Sequence, residues 1–386
     1  MTSDTKAATS APLTRRLSLA DFRSYAALDC AISAPLVVLT GENGAGKTNI
    51  LEALSLFSPG RGLRGAEIGE CARRQGAGGF AVSIEIETNG YATQLGHGLE
   101  PAGPDQAPAR RFRIDRAPVS SARAFADHIR PLWLTPSMDG LFAGPAGDRR
   151  KFLDRLVLSV DADHGTRVAR LERALRNRNR LLAEEATDAR WLDAAEREIA
   201  ALGVAVAAAR QETVARLRAL IDDGRDSHSP FPWANVAIDG ELERMVGAEP
   251  ALRVEDHYRA QLASMRRRDA AAGRTLNGPQ ASDLVVRHGP KDEAARACST
   301  GEQKALLTGL VLAQARLVAA MSGMAPLLLL DEIAAHFDPA RREALFDELA
   351  RIGGQVWMTG ADASAFASLD GRADMLRVTP GSAQRL

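Results

Sequence analysis

Eight consecutive residues, Gly41-Glu42-Asn43-Gly44-Ala45-Gly46-Lys47-Thr48, satisfy the pattern GxxxxGK[ST]. Glycines in this pattern let the backbone curl until successive N–H groups face one phosphate chain. A helix that begins at the end of the loop adds its positive end. In such a loop Lys47 reaches the β and γ phosphates and the Thr48 hydroxyl ligates Mg²⁺. The predicted chemistry is binding of a nucleotide's phosphate chain with Mg²⁺. A second constellation, Leu327-Leu328-Leu329-Leu330-Asp331-Glu332, delivers two carboxylates at the end of an apolar strand, where ligands gather in open α/β sheets. Asp331 is predicted to hold Mg²⁺, directly or through water, and Glu332 to polarise the attacking water as catalytic general base. Alone, such a pair also reads as a salt-bridged strand end; beside a phosphate loop the functional assignment dominates. In a third stretch, Cys298-Ser299-Thr300-Gly301-Glu302-Gln303, Ser299 is a good N-cap and Glu302 follows three residues later, which makes a capping box. A helix N-terminus with a small hydroxyl residue and a glycine is also an anion site, and the residues alone leave both roles open.

The elements that must carry these residues are legible in the hydrophobic pattern. The run Leu36-Val37-Val38-Leu39 before the loop has the composition of a strand buried on both faces. A helical pattern follows from Thr48 to Phe57. Upstream, Leu17, Leu19 and Phe22, then Leu28, Cys30 and Ile32, alternate with polar residues as in a hairpin. Two strands are expected over residues 80–95, with Val82, Ile84 and Ile86 on one face, and a Pro-rich loop over 99–109. Residues 148–220 carry helical periodicity, with Val168, Leu171 and Leu175 on one face and Leu217 and Leu220 on another. Gly224, Pro230 and Pro232 break that pattern, and it returns around 251–265. Beyond 280 a strand (Leu284 to Val286), a helix (301–320), the run Leu327 to Leu330, a helix (339–351) and a strand (Val356 to Thr359) restore α/β alternation. The predicted organisation is a loose tail over 1–12, an α/β head from 13–139 plus 278–386, and an inserted helical lobe over 140–277.

The chain has 386 residues, with 49 basic and 49 acidic side chains and a net charge of zero. Its apolar and charged fractions are those of a globular protein and exclude disorder throughout. No stretch reads as approaching the ~18 apolar residues of a membrane span, no signal-peptide pattern is visible, and three scattered cysteines suit a reducing cytoplasm. Zero net charge argues mildly against a nucleic-acid partner, but it is a sum of unlike regions. Residues 140–182 hold ten basic and five acidic side chains, whereas residues 184–256 hold eight and sixteen. Arg167, Arg170, Arg173, Arg176 and Arg180 recur at helical spacing and form a candidate stripe for DNA phosphates, or a solvated helix face. Arg110, Arg111 and Arg113, and Arg266 to Arg268, are further basic clusters. Arg61 and Arg64 lie in a Gly-Pro-rich loop, as solvated arginines or as contacts to nucleotide or DNA.

The order of phosphate loop, capped S-x-G-E helix and Asp-Glu strand resembles ABC-type ATPases, above all the SMC-like group. Phe22-Arg23-Ser24-Tyr25, Asn49-Ile50-Leu51-Glu52-Ala53, Arg149-Arg150-Lys151-Phe152-Leu153-Asp154, Leu175-Arg176-Asn177-Arg178-Asn179 and Trp191-Leu192-Asp193 narrow the resemblance to the RecF family. It covers Leu17 to about Ala367 and implies an ABC-type P-loop ATPase head with an inserted α-helical lobe. It further implies an ATP-sandwiched homodimer in which Ser299, Gly301 and Glu302 of one subunit close over ATP held by the other, and slow ATP hydrolysis. Binding of gapped or double-stranded DNA and work with RecR, RecO and RecA in repair follow from the same resemblance. Ile333-Ala334-Ala335-His336-Phe337-Asp338 resembles the D-loop, with Asp338 its best match. There are departures. The family's GPHR is replaced by Gly278-Pro279-Gln280-Ala281. Leu134 to Asp139 has no glutamine where related ATPases carry a glutamine loop. Met358-Thr359-Gly360 lacks the transporter histidine, and Thr359 is expected near the γ-phosphate instead. A transporter motor subunit and an SMC-like tether are the alternatives. The ~250 residues between Thr48 and Ser299 tell against the first, and the absence of sustained heptads tells against the second.

Overall fold

The computed structural model describes residues 11–103, 107–184, 188–225, 229 and 231–386; most of the expected tail, and Pro230, lie outside them. The chain divides into two compact units, one of residues 1–139, 227–232 and 307–386, the other of 140–226 and 233–306.

The first unit is built on two sheets. Strands β1 (Leu13–Phe22), β2 (Tyr25–Ala31), β4 (Phe80–Thr88), β5 (Tyr91–Glu100), β6 (Ala109–Ile114) and β7 (Ala117–Val119) form an antiparallel sheet in the order β2-β1-β4-β5-β6-β7. Asn89 and Gly90 both take positive φ between β4 and β5, the two-residue hairpin turn that Asn-Gly favours. The second sheet contains β3 (Leu36–Thr40), β8 (Pro131–Leu134), β12 (Leu327–Leu330), β13 (Val356–Gly360), β14 (Ala373–Thr379) and β15 (Ser382–Arg385), in the order β15-β14-β3-β13-β12-β8. All its pairings are parallel except that of β15. Every residue of β3, β12 and β13 is buried, which explains their unbroken apolar composition. Leu17, Val82, Ile84 and Leu95 of the first sheet share one core with Val37, Leu39, Leu329 and Trp357 of the second. Helix α1 (Lys47–Ser55) buries Ile50, Leu51 and Leu54 in that core.

The second unit is mainly helical: α2 (Ala146–Val160), α3 (His164–Ala183), α4 (Ala189–Asp223), α5 (Glu241–Val246), α6 (Ala251–Ser264) and α7 (Arg266–Ala272). Leu171 and Leu175 of α3 meet Ile199 and Val206 of α4, and Val254, Tyr258 and Leu262 of α6. Strands β9 (Ala234–Asp239), β10 (Asp283–His288) and β11 (Glu293–Ala294) form a small antiparallel sheet. Two buried arginines organise this unit. Arg178 is fully buried and donates to Glu196 at 3.0 Å, Asp269 at 2.8 Å, Thr275 Oγ1 at 2.8 Å and the Leu262 carbonyl at 2.8 Å. Arg210 donates to both oxygens of Asp154, at 2.8 and 2.9 Å, and to the Pro279 carbonyl at 2.7 Å.

Several expectations change. Residues 278–306, expected in the head, fall in the second unit because β10 pairs with β9. The hairpins β6–β7 and β14–β15 and strand β9 were not anticipated; they are short or weakly alternating. Helix α8 (Thr300–Ser322) corrects the expectation that no segment is long and apolar enough to span a membrane. It meets both criteria, and 67% of its most apolar window is buried within the chain. Helices apolar on all sides include those packed inside a protein core. Helix α9 (Pro339–Ile352) follows as expected.

Removing one member of a buried charge network strands the others, at a cost of about 3–5 kcal/mol. Arg178→Ala should therefore destabilise the second unit by about that much in urea unfolding. Arg173→Ala, on the exposed side of the same helix, should stay within about 0.5 kcal/mol.

Candidate functional site

The loop Gly41–Gly46 leaves β3 and turns into α1, whose N-cap Gly46 is left-handed at φ 112°. Gly41 also has positive φ, and a Cβ there would overlap the Val378 carbonyl oxygen of β14. The first turn of α1 carries N–H groups with no intrahelical acceptor. Lys47 is buried and its ammonium donates to the carbonyls of Gly41 at 2.6 Å and Glu42 at 2.9 Å. Burial lowers its pKa from the ordinary lysine value, opposed by the charges of Glu332 and Asp331.

The motif Phe22-Arg23-Ser24-Tyr25 braces this loop. The Tyr25 hydroxyl donates to the Gly46 carbonyl at 3.2 Å, and Ser24 Oγ accepts from Asn49 at 2.9 Å. Arg23 forks onto the fully buried Glu52 of α1 at 2.8 and 2.5 Å. Arg64 donates to the same carboxylate at 2.5 Å and to Asn49 Oδ1 at 2.8 Å. Arg61 pairs instead with Glu67 at 2.7 Å on the surface.

Sheet order brings the acidic pair to the loop. β13 lies between β3 and β12, so the ends of the three strands meet. The Thr48 hydroxyl lies 3.0 Å from each Asp331 oxygen. Thr359 Oγ1 donates to Asp331 Oδ1 at 2.7 Å and accepts from the Glu332 N–H at 2.8 Å. Glu332 is left-handed at φ 52°, ψ 30°. The residue after β8, Thr135, bonds the hydroxyl of Ser137 at 2.9 Å, and the Leu134 carbonyl accepts from the Asp331 N–H at 2.8 Å. Thus the structure brings Thr48, at the end of the Gly41–Thr48 loop, onto Asp331, with Glu332 next along the chain. Sequence reasoning gave no part to the Tyr25 and Arg23 bracing; the Phe-Arg-Ser-Tyr motif was its only sign. Asp338 N-caps α9, accepting from the Arg341 N–H at 3.0 Å.

Ser299, Gly301 and Glu302 belong to the second unit. The capping box is present: the Glu302 carboxylate accepts from the Ser299 N–H at 2.9 Å, and Ser299 Oγ from the Glu302 N–H at 3.4 Å. Glu302 also pairs with Lys291, which with the Ser299 bonds pulls its carboxyl down to about 2. Gly301 is exposed, and a Cβ built on it meets nothing within 4 Å.

The arginine stripe lies on α3, but most of it has local partners. Arg167 pairs with Asp161, Arg170 with Glu198 at 3.5 Å, Arg176 with Glu172 at 3.8 Å, and Arg180 donates to Asn177 at 3.0 Å. Arg173 has no ion-pair partner among the described residues.

Residues 13–379 match the model of the RecF/RecN/SMC N terminal domain. The chain is 52% identical over 366 residues to "DNA replication and repair protein RecF" of Allorhizobium ampelinum, covering 95% of this chain and 97% of that protein. The protein of the same description in Rhizobium meliloti gives the same identity and coverage. Among solved structures, "the recombination mediator protein RecF-ATPrS in RecFOR pathway" superposes with TM-score 0.85 at 18% identity, over 98% of this chain and 100% of that one. An Smc head domain from Pyrococcus furiosus, bound to the C-terminal domain of ScpA, gives 0.51 at 15% identity, over 97% and 96%. The fold is accordingly that of an ABC-type ATPase head, shared with RecF and SMC proteins.

The two kinds of glycine should respond differently to alanine. Gly41→Ala forces a Cβ into Val378 and a backbone that costs about 1–3 kcal/mol, so thermal unfolding without ligand should come markedly earlier. Gly301→Ala meets open space and should leave stability unchanged or raise it by up to about 1 kcal/mol.

Proposed function

From the premise that the chain belongs to the RecF family, we propose that it is an ATP-dependent DNA-binding protein of recombinational repair, working as an ATP-sandwiched homodimer. The observation that carries this is the meeting of Thr48, in the first turn of α1, with Asp331 at the end of β12, next to Glu332 and the lysine-bearing phosphate loop. ATP is the substrate: the loop N–H groups and Lys47 bind its phosphates, and Lys47 exchanges its two carbonyl partners for phosphate oxygens.

A hydroxyl and a carboxylate at this spacing are a hard-oxygen donor set that fits Mg²⁺, which takes one or two protein ligands and completes its shell with phosphates and water. When bound, the ion neutralises charge on the β and γ phosphates. Glu332 orients the attacking water and accepts its proton. Hydrolysis is slow and serves as a switch. Ser299, Gly301 and Glu302 close over the γ-phosphate of the other subunit, with Asp338 in the D-loop beside it; the open space around Gly301 supports this reading. The same reading keeps the division into an ATPase head and an inserted helical lobe.

The DNA face is the exposed side of α3, with Arg167, Arg170, Arg173, Arg176 and Arg180. Exposed ion pairs contribute about 0–1 kcal/mol, so Arg170 and Arg176 can exchange carboxylates for phosphates at small cost. Gapped or junction DNA is the expected substrate, with RecR, and through it RecO and RecA, as partners in the cytoplasmic response to DNA damage, including the SOS response.

Sedimentation with ATP and Mg²⁺, with and without gapped DNA, tests this. ATP should produce a dimer that DNA reinforces; a monomer under all conditions would refute the sandwich. Lys47→Ala should abolish dimerisation together with ATP binding. Glu332→Gln should bind ATP normally and accumulate as the dimer, whereas turnover at the wild-type rate would assign the base elsewhere. Ser299→Arg should bind ATP yet remain monomeric.

DNA affinity should fall with salt, with a log–log slope of about −0.9 for each phosphate neutralised. Arg170→Ala with Arg173→Ala should reduce that slope by about 2. An unaltered slope would move the DNA to another surface.

A further inference from the structure

We propose that Thr359 is a positioning residue whose hydroxyl holds the Asp331–Glu332 turn in its working conformation, and that it does not act on the phosphate itself. This rests on the reading of Asp331 and Glu332 as the hydrolytic pair, and it replaces the expectation that Thr359 stands in for a phosphate-sensing histidine.

The direction of the hydrogen bonds carries the argument. Thr359 is fully buried at the end of β13. Its hydroxyl has a single proton and bonds two groups of fixed polarity. The Asp331 carboxylate can only accept, so it takes the proton; the Glu332 N–H can only donate, so it takes a lone pair. A phosphate oxygen, which also only accepts, is left no proton from this hydroxyl while the Asp331 bond stands.

What the hydroxyl holds is an unusual backbone. Glu332 is a non-glycine residue in the left-handed region, a conformation that persists only where surrounding contacts determine it. The Thr359 bond to its N–H at 2.8 Å is such a contact. That conformation sets the direction in which the Glu332 side chain leaves the turn. The same hydroxyl restrains Asp331 through Oδ1, on the carboxylate that Thr48 also contacts. One side chain thereby fixes the carboxylate of the metal-binding set and the backbone of the general base relative to each other. Valine would fill the same volume with neither bond; serine would keep both.

The experiment uses the full chain and compares Thr359→Val with Thr359→Ser. Without nucleotide, amide hydrogen exchange in the segment 331–334 should be at least about tenfold faster in the valine variant, with β3 and α1 unchanged, and close to wild type in the serine variant. In ATP turnover, the valine variant should lose about tenfold or more in kcat with little change in KM, as expected when a group acts only on the geometry of the reacting pair. Serine should restore most of that kcat.

Unchanged exchange in the valine variant would overturn the proposal. So would a raised KM with intact kcat, which would mean that the hydroxyl contacts the nucleotide. A serine variant as impaired as valine would overturn it too, by reducing the effect to packing. If the wild-type chain turned over no ATP, the proposed function would fail, while the exchange measurement would still decide whether Thr359 holds the turn.

Discussion

A buried carboxylate has to be surrounded by donors, and at the ends of the parallel strands in the first unit that requirement falls on Asp331. Left unpaired it would be among the costliest groups to bury. Thr48 reaches it from the helix after β3 and Thr359 from the end of β13. Both donors sit there because the strand order β3-β13-β12 lines up three C-terminal ends. The phosphate loop, the acidic pair and the threonine strand are therefore one construction. Neither carboxylate satisfaction nor the anion site survives a different strand order.

The high arginine content has a structural explanation as well as an electrostatic one. Arg23 and Arg64 converge on the buried Glu52, Arg178 bridges Glu196 and Asp269, and Arg210 clasps Asp154. Arg23, Arg178 and Arg210 each use the planar fork that lysine lacks. Positive charge counted along the chain thus overstates what is free to meet a polyanion. Arg178, flanked by members of the α3 stripe, belongs to the core and not to the surface. The neutral total conceals buried pairs as well as regional contrast.

The sequence exposed the chemistry more fully than the architecture. The phosphate loop and the Leu-Leu-Leu-Leu-Asp-Glu run were legible as motifs because the chemistry proposed for them demands particular residue types at fixed spacing. Helices α3, α4, α6 and α9 were legible through periodicity. By contrast, β10 was read with the head, since nothing in Leu284 to Val286 says that its neighbour is β9, a strand almost fifty residues earlier whose alternation is weak. The resemblance motifs were visible as words without their physics. Phe22-Arg23-Ser24-Tyr25 becomes intelligible only when Tyr25 is seen on the Gly46 carbonyl and Arg23 on Glu52. Long-range hydrogen bonds of this kind leave no local period to detect. Thr359 is similar: a threonine at a strand end is unremarkable until Asp331 and Glu332 are on either side of its hydroxyl.

The capping box at Ser299 shows how a local stabilising device and a proposed intermolecular contact can share residues without conflict. Ser299 Oγ accepts from the Glu302 N–H, which uses a lone pair and leaves its proton for an incoming acceptor. Glu302 accepts from the Ser299 N–H and pairs with Lys291, so its negative charge is compensated beside the helix start proposed to meet phosphate. Gly301 adds no side chain to the exposed first turn. The helix start is thus satisfied within its own chain and still offers a proton, a positive helix end and clearance to a ligand from outside. A helix start built in this way would need no distortion to meet a partner, which suits the reversible, ATP-controlled encounter proposed for it.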